Sequence, residues 1–309
     1  MTTDVTVVGG GISGLACARA VQDAGRSVRV LDRGRRVGGR LSSRTIDGRP
    51  VDLGASYFVV GEAKGFAHVV ADWEERELAR PWTDTFQVID ADGGWSPKPG
   101  PMRWAAPGGL RSLALDLAEG LDVSSGRVVE SAAPFRVDGE DAGEVVLAMP
   151  APQAARLTGE APGGAQEWEP VIAVVLRWDR RRWDADLHGA FADGDADVSF
   201  IADDGDRRGD DAPVLVVHTT ADRARQHLDD PEAAIAPVLA ATRRLLRIDV
   251  EPVSTRAHRW TFARPAGTTG QPFFRSPGLS ACGDAWGDSA AVRTAWASGD
   301  ALGRELAAS

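Results

Sequence analysis

The stretch from Val5 to Gly14 constrains this chain more than any other. A β-branched run, Val5 to Val8, leads into Gly9-Gly10-Gly11-Ile12-Ser13-Gly14, after which Ile12, Leu15, Ala16 and Ala20 recur on one helical face. Gly25 ends that helix and Ser27 to Leu31 alternates into a second strand, so the opening reads as a βαβ unit. Parallel strands joined by so short a crossover belong to a sheet covered on both faces, which predicts an α/β fold. The turn fits GxGxxG: Gly9 makes the bend, Gly11 admits a diphosphate against the backbone, and Gly14 lets helix and sheet close together. The free N–H groups at the helix start carry partial positive charge toward such a diphosphate. Asp32, ending the second strand, stands where a carboxylate accepts hydrogen bonds from ribose hydroxyls. Turn and carboxylate together predict a dinucleotide site; they do not separate NAD from FAD.

At 309 residues the chain exceeds the size at which one core keeps growing, so two lobes are expected. A formal net charge of -10 repels phosphate polymers and anionic lipid, which argues against nucleic-acid and membrane-surface partners. The two cysteines, Cys17 and Cys282, lie far apart in apolar stretches and read as core residues of a protein in a reducing, cytoplasmic setting. Gly9 to Ala20 is small and apolar, yet no basic residue precedes it and Arg19 interrupts it, so it is read as fold rather than as a secretory signal. Prolines and charges cut every run that approaches membrane-spanning length.

Further along, Asp92-Gly93-Gly94 offers a hairpin turn within a Trp- and Pro-rich excursion, Leu110 to Leu121 is an amphipathic helix, and Val145 to Met149 is a buried strand. Val171 to Trp178, Val198 to Ala202 and Pro213 to Thr219 read as an antiparallel sheet, followed by a helix from about Pro231 to Arg247. Leu279 to Asp284 is a small-residue strand and Ser289 to Leu306 a helix that returns the chain to the first lobe. The expected division places residues 1–72, 104–155 and 255–309 in a dinucleotide-binding domain, and 73–103 and 156–254 in a substrate domain.

Arg36-Val37-Gly38-Gly39-Arg40 resembles the RxGGR motif that flavin amine oxidases carry after the ribose carboxylate. Asp52-Leu53-Gly54-Ala55-Ser56-Tyr57-Phe58 resembles their D-x-G-A stretch, with a Tyr-Phe pair similar to renalases. Ala281-Cys282-Gly283-Asp284, then Val292 to Gly299, resembles the closing GD and V-x-x-A-x-x-SG pattern, with Thr294 where glycine is usual. Pro107-Gly108-Gly109-Leu110 is similar to the P-x-G-M segment, and His258-Arg259-Trp260 with Ala263 to the renalase H-R-W-x-x-A run. The chain thus resembles the renalase branch of the FAD-dependent amine oxidase superfamily, closely at both ends and loosely in the middle. That resemblance implies a Rossmann-type FAD-binding domain in a two-domain, p-hydroxybenzoate-hydroxylase-like architecture, with a smaller α+β substrate domain built on an antiparallel sheet.

By the same resemblance the FAD contacts are Gly9, Gly11, Ile12, Ser13 and Gly14 at the turn, Asp32 and Arg33 after the second strand, and Gly39, Arg40 and Leu41 around the pyrophosphate. Gly54, Ala55 and Ser56 run past the isoalloxazine, Val128 offers its backbone to adenine, Gly283 and Asp284 hold the ribityl chain, and Val292 and Ala295 begin the helix at the pyrimidine end. Tyr57, His258 and Trp260 are the expected substrate-side residues, with His258 as proton acceptor; for Tyr57 and His258 a packed core residue is the competing reading.

The departures also carry information. Asp32 is one methylene shorter than the usual Glu, and no cysteine stands where some relatives attach the flavin covalently, so FAD is expected to be held non-covalently. Only Lys64 and Lys98 are lysines, and the position where many amine oxidases place a lysine beside flavin N5, counted from Pro170, is Leu176. Asp193, Asp195 and Asp197 lack the glycine of a calcium loop, and the five histidines show no metal-ligand spacing. The activity that the resemblance implies is a renalase-like FAD oxidase that moves a hydride from a small reduced substrate, with 2- or 6-dihydro-NAD(P) as the leading candidates, to flavin N5, with O2 reoxidising the flavin to give hydrogen peroxide. Alternatives are an amine oxidase or desaturase of a small biosynthetic metabolite, and a flavin-binding sensor without turnover.

Overall fold

The computed structural model describes residues 3–309, apart from the Lys64 side chain. Two sheets organise the chain. The first runs in the order Phe274–Ser276, Leu279–Ala281, Glu144–Leu147, Val5–Val8, Val28–Asp32, Asp122–Ser125. Its pairs are parallel except the hairpin that joins the first two strands. Because every residue of Val5–Val8 is buried, both faces of this sheet need cover. The helices Ile12–Asp23 and Val292–Ala307 supply it on one side through Cys17, Ala18, Val21, Leu302 and Leu306. These two helices approach closely: a side chain on Gly299 would meet the Ser13 carbonyl at 1.9 Å, so the Ser-Gly pair of the terminal motif is a packing requirement as well. Val8, Leu31, Val145 and Leu147 face the other way, toward Ala154 and Trp286.

The second sheet has eight strands, in the order Ser254–Pro265, Trp168–Arg177, Val214–Thr219, Val198–Asp203, Gly189–Ala192, Arg80–Ile89, Trp95–Ala105, Phe58–Val59. One face packs on the helix Ile235–Leu246 through Ile172, Val174, Leu176, Leu215 and Val217. The opposite face, through Ala173, Val175, Val214 and Val216, meets Val51 and Leu53 of the first lobe. The sheet therefore lies between its own helix and the segment that follows the dinucleotide-binding unit.

Three expectations need correction. The strand Ser254–Pro265 pairs along its length with Trp168–Arg177, so residues 255–265 belong to the second sheet and not to the dinucleotide-binding domain. The sheet expected to be antiparallel is mixed, since Gly189–Ala192 pairs parallel with Arg80–Ile89. Finally, Leu176 is fully buried on the helix-covered face, because alternation turns it away from Ala173 and Val175. No described helix is long and apolar enough to cross a membrane.

Candidate active site

The two glycine-bearing motifs of the first lobe meet. Gly38 donates its N–H to the Gly10 carbonyl at 2.7 Å, and Gly11 and Gly38 form an isolated bridge. Gly38 has φ of 116°, a conformation that glycine adopts without a Cβ clash, and this turns Gly39 back toward Gly11. In front of Gly11 the space is open, since a Cβ there would touch nothing within 4 Å, and the helix begins without a side-chain cap. Unbonded N–H groups beside an open, glycine-lined bend fit a diphosphate. Asp32 accepts hydrogen bonds from the N–H groups of Gly10 and Gly34, the latter at 2.6 Å, so its short side chain also shapes the bend. A carboxylate has about four acceptor positions, which leaves room for ribose hydroxyls.

Ile12 and Leu41 are core residues, 7% and 3% exposed, so only their backbones are available to a cofactor. Arg33 is exposed. Val128 is exposed too, and lies just past Arg127, whose N–H donates to the Asp32 carbonyl at 2.9 Å. Arg40 and Asp284, expected as separate ligands of pyrophosphate and ribityl chain, are each other's partners. Arg40 Nη1 and Nη2 fork onto the Asp284 carboxylate at 2.7 and 2.5 Å, and Nη1 also donates to the Ala263 carbonyl. What remains to a ligand is the Arg40 Nε–H, one Nη2–H and the outer lone pairs of Asp284. Gly283 donates its N–H to Ser298 Oγ at 3.1 Å, tying the GD pair to the terminal helix, where Ala295 is buried and Val292 opens the first turn.

All parts converge on the strip Leu53 to Ser56. Ala55 N–H donates to the Arg40 carbonyl at 2.9 Å and Leu53 N–H to the Ser42 carbonyl at 2.9 Å. From the second sheet, Trp260 Nε1 donates to the Leu53 carbonyl at 2.6 Å, and from the short helix Asp204–Arg208, Arg207 Nη1 donates to the Ser56 carbonyl at 2.6 Å. Ser56 Oγ is buried with no partner among the described residues, an unmet polar group that a ligand against the strip would satisfy. The open bend, the uncapped helix and this hydroxyl are what a flavin dinucleotide requires along its length. Asp52, in contrast, is a structural carboxylate: it accepts from Leu110 N–H at 2.9 Å and from Arg208 Nη2 at 3.1 Å.

Register places a row of side chains opposite the strip. Ala173 is paired with His218 on one side and His258 on the other, His218 with Phe200, and Phe200 with Phe191. Phe86 and Tyr57 extend the row, their rings 5.2 Å apart, and Trp260 packs edge-on to His258 at 4.6 Å. Of these, Tyr57, His258 and Trp260 were legible in the sequence; Phe86, Phe191, Phe200 and His218 carry no motif and are brought in only by pairing. Burial, helped by Arg44 and Arg259, pushes His258 down to about 4, and burial with Arg207 and Arg264 nearby does the same to His218. With its value held that low by burial, His258 is neutral at pH 7.

These histidines make stability depend on pH. Their folded-state values lie below the ordinary 6.5, so the unfolded chain binds the extra protons between pH 6.5 and about 4. The unfolding free energy is therefore expected to fall as pH drops through that window, with His218 contributing up to about 1.4 kcal/mol per pH unit and the partly exposed His258 less. His188, raised by its hydrogen bond to Asp206, acts in the opposite direction. Urea unfolding at pH 7.5 and pH 5, repeated on His218→Gln with His258→Gln, checks this: the double variant should lose most of the slope.

The family described as flavin containing amine oxidoreductase matches residues 95–301, more than half of the chain. The chain belongs to that family. Preceding the matched segment, a NAD(P)-binding Rossmann-like domain matches residues 7–73, which hold the glycine bend and the strip. Flavin is the cofactor that the description of this family names. Among curated relatives, a carotenoid 3,4-desaturase of Haloarcula japonica is 46% identical over 57 residues, covering 18% of this chain and 12% of that protein. Flavin-containing amine oxidase B of Mus musculus is 54% identical over 56 residues, 18% of this chain and 11% of that one. The matched stretches therefore span about a tenth of those relatives. Over the whole chain the fold is similar to a protein assigned as protoporphyrinogen oxidase from Exiguobacterium sp. 255-15, with TM-score 0.78, 14% identity and coverage of 100% and 99%. It is also similar to a putrescine oxidase bound to putrescine, with TM-score 0.71, 17% identity and coverage of 100% and 98%.

Proposed function

We propose that this amine oxidoreductase family member is a renalase-like oxidase that takes a hydride from a small reduced heterocycle, 2- or 6-dihydro-NAD(P) being the leading substrates. The observation that carries the reading is that, among the described residues, the strand Trp168–Arg177 sets no basic side chain against the strip Leu53 to Ser56. Its residues Val171, Ala173 and Val175 include no lysine, and the paired histidines His218 and His258 are held near 4. Oxidising a protonated amine requires that a proton be removed as well as a hydride. A dihydropyridine that gives up a hydride becomes an aromatic cation and leaves no proton behind, so a face without a base suffices.

The residues that would hold FAD are those of the glycine bend, Asp32, the Gly38-Gly39 turn, the strip Gly54 to Ser56 and the start of the terminal helix, without a covalent bond. When bound, FAD supplies hydride acceptance at N5 and return of two electrons to dioxygen, which leaves with two protons as hydrogen peroxide. Tyr57, Phe86, Phe200 and Trp260 present flat, mostly buried surface that orients a planar ring and excludes water. His258 and His218, being neutral, offer a polar ring edge without charge.

Steady-state peroxide release with 2- and 6-dihydro-NAD(P), compared against putrescine, benzylamine and other amines, tests the reading. Turnover of the dihydronucleotides is expected, with the hydride-transfer rate flat between pH 6 and 9 because neither histidine titrates there. An enzyme inactive on both dihydronucleotides but active on amines, with a rate that rises through a pKa near 7 to 8, would point to the amine oxidase alternative.

A further inference from the structure

One cation beside the aromatic row has no partner. Arg103, in the strand Trp95–Ala105, is 6% exposed, and among the described residues its guanidinium makes no hydrogen bond and no ion pair. Its Nη1 is wholly covered. The other deeply buried arginines, Arg207 and Arg208, are by contrast paired with Asp204 and Asp52. The Arg103 guanidinium carbon lies 4.0 Å from the Phe86 ring centre and 5.9 Å from that of Tyr57, so it sits in the aromatic row itself. Attraction to the ring faces offsets only part of what it costs to bury a charge without a counter-ion. Nearby, the Lys98 ammonium stands 5.2 Å over the Phe191 ring, and Phe191 packs 5.7 Å from Phe86. The carboxylate bordering this cluster, Asp206, is committed to Trp82 and His188.

We propose that Arg103 is the anion-recognition residue of the substrate site, and that the substrate carries a carboxylate or phosphate oxyanion alongside its flat ring. The ligand supplies the counter-charge that the protein withholds, in a forked hydrogen bond that a guanidinium makes readily. Lys98 adds a second, more exposed positive charge at the rim of the same row. A cationic amine meets repulsion at this place and finds no carboxylate to replace it, so the site selects against polyamine-like substrates. This rests on the reading above in one respect, that the row opposite the strip is where substrate lies.

The test uses FAD-loaded protein and four ring probes: benzoate, phenyl phosphate, benzamide and benzylamine, each titrated while the visible flavin spectrum is recorded and confirmed by calorimetry. Benzoate and phenyl phosphate should bind and perturb the spectrum, and benzylamine should bind far more weakly. Arg103→Met should weaken the two anions roughly 10- to 150-fold, the range set by charge-assisted hydrogen bonds, and leave benzamide within about twofold. Arg103→Lys should recover part of the loss. Since the wild-type charge is unpaired, the melting temperature of Arg103→Met should not fall, which separates lost recognition from lost folding. Equal binding of benzoate and benzylamine by the wild type, or anion affinity unchanged in Arg103→Met, would overturn the proposal. Tight anion binding by a protein inactive on the dihydronucleotides would uphold Arg103 while removing the substrate named earlier.

Discussion

Asp204→Asn is expected to destabilise the protein by about 3–5 kcal/mol, the usual cost of removing one partner from a buried ion cluster. Asp204 is fully buried and stands at the start of the short helix Asp204–Arg208. Its carboxylate takes Arg49, Arg207 and Arg208, while Asp52 takes Arg208 and Asp210 takes Arg49. Three arginines are thus balanced by three aspartates, and the amide would leave the cations in excess where water does not reach. The loss extends to the site, because Arg207 also holds the Ser56 carbonyl and Arg208 the carbonyl of Pro107 at 3.2 Å. Flavin uptake should weaken together with stability. Asp210→Asn, whose side chain is 40% exposed, is the comparison and should cost less than about 1 kcal/mol. The Arg207 and Arg208 charges hold the Asp204 carboxyl well below its ordinary 3.8 despite its burial. Its contribution is therefore complete above pH 3.8 and lost as pH falls below it, so wild type should show an acid-unfolding limb that the variant lacks. Urea denaturation at pH 7 and at pH 3 measures both effects; equal stabilities of Asp204→Asn and Asp210→Asn would show that the cluster does not hold the two lobes.

Gly14→Ala should yield protein that folds but takes up little FAD. A Cβ at this position would lie 2.0 Å from the Gly9 carbonyl oxygen and 3.0 Å from the Ala148 Cβ, so the helix must move away from the first sheet. The displaced groups are backbone, which cannot rotate aside as a flexible side chain would. Overpacking of this kind costs about 1–3 kcal/mol. Drawn from cofactor binding, that corresponds to roughly 5- to 150-fold in Kd. The ratio of flavin absorbance to protein absorbance after purification, and titration of apoprotein with FAD, give the answer. Gly14→Ala that purifies with wild-type flavin content would mean that the bend is not the diphosphate site.

Between them these variants mark how differently the two halves of the site were legible. Gly9 to Gly14 could be read directly because local order, a β-branched run followed by glycines and then helical periodicity, already fixes where the helix N–H groups point. The same holds for Gly38 and Gly39, whose backbone conformation is itself a sequence signal. Arg40 and Asp284 were found as site residues but not as partners, since 244 positions separate them and nothing local announces a fork between them. The run Asp203 to Arg208 carries no motif; only when folded does it become a capped helix whose arginines reach the Ser56 and Pro107 carbonyls.

For this protein, then, the amino-acid order alone determined the dinucleotide-binding unit, the flavin family and the absence of a strand lysine, because each depends on neighbours along the chain or on residue type. The tertiary structure decided which side chains face the strip Leu53 to Ser56. Strand register turned Leu176 away and brought Ala173, His218, His258 and Phe200 into one row. It also left Arg103 buried among rings without a counter-ion. Pairing between strands far apart in sequence sets both outcomes, and a shift of one residue would reverse the face of every side chain involved.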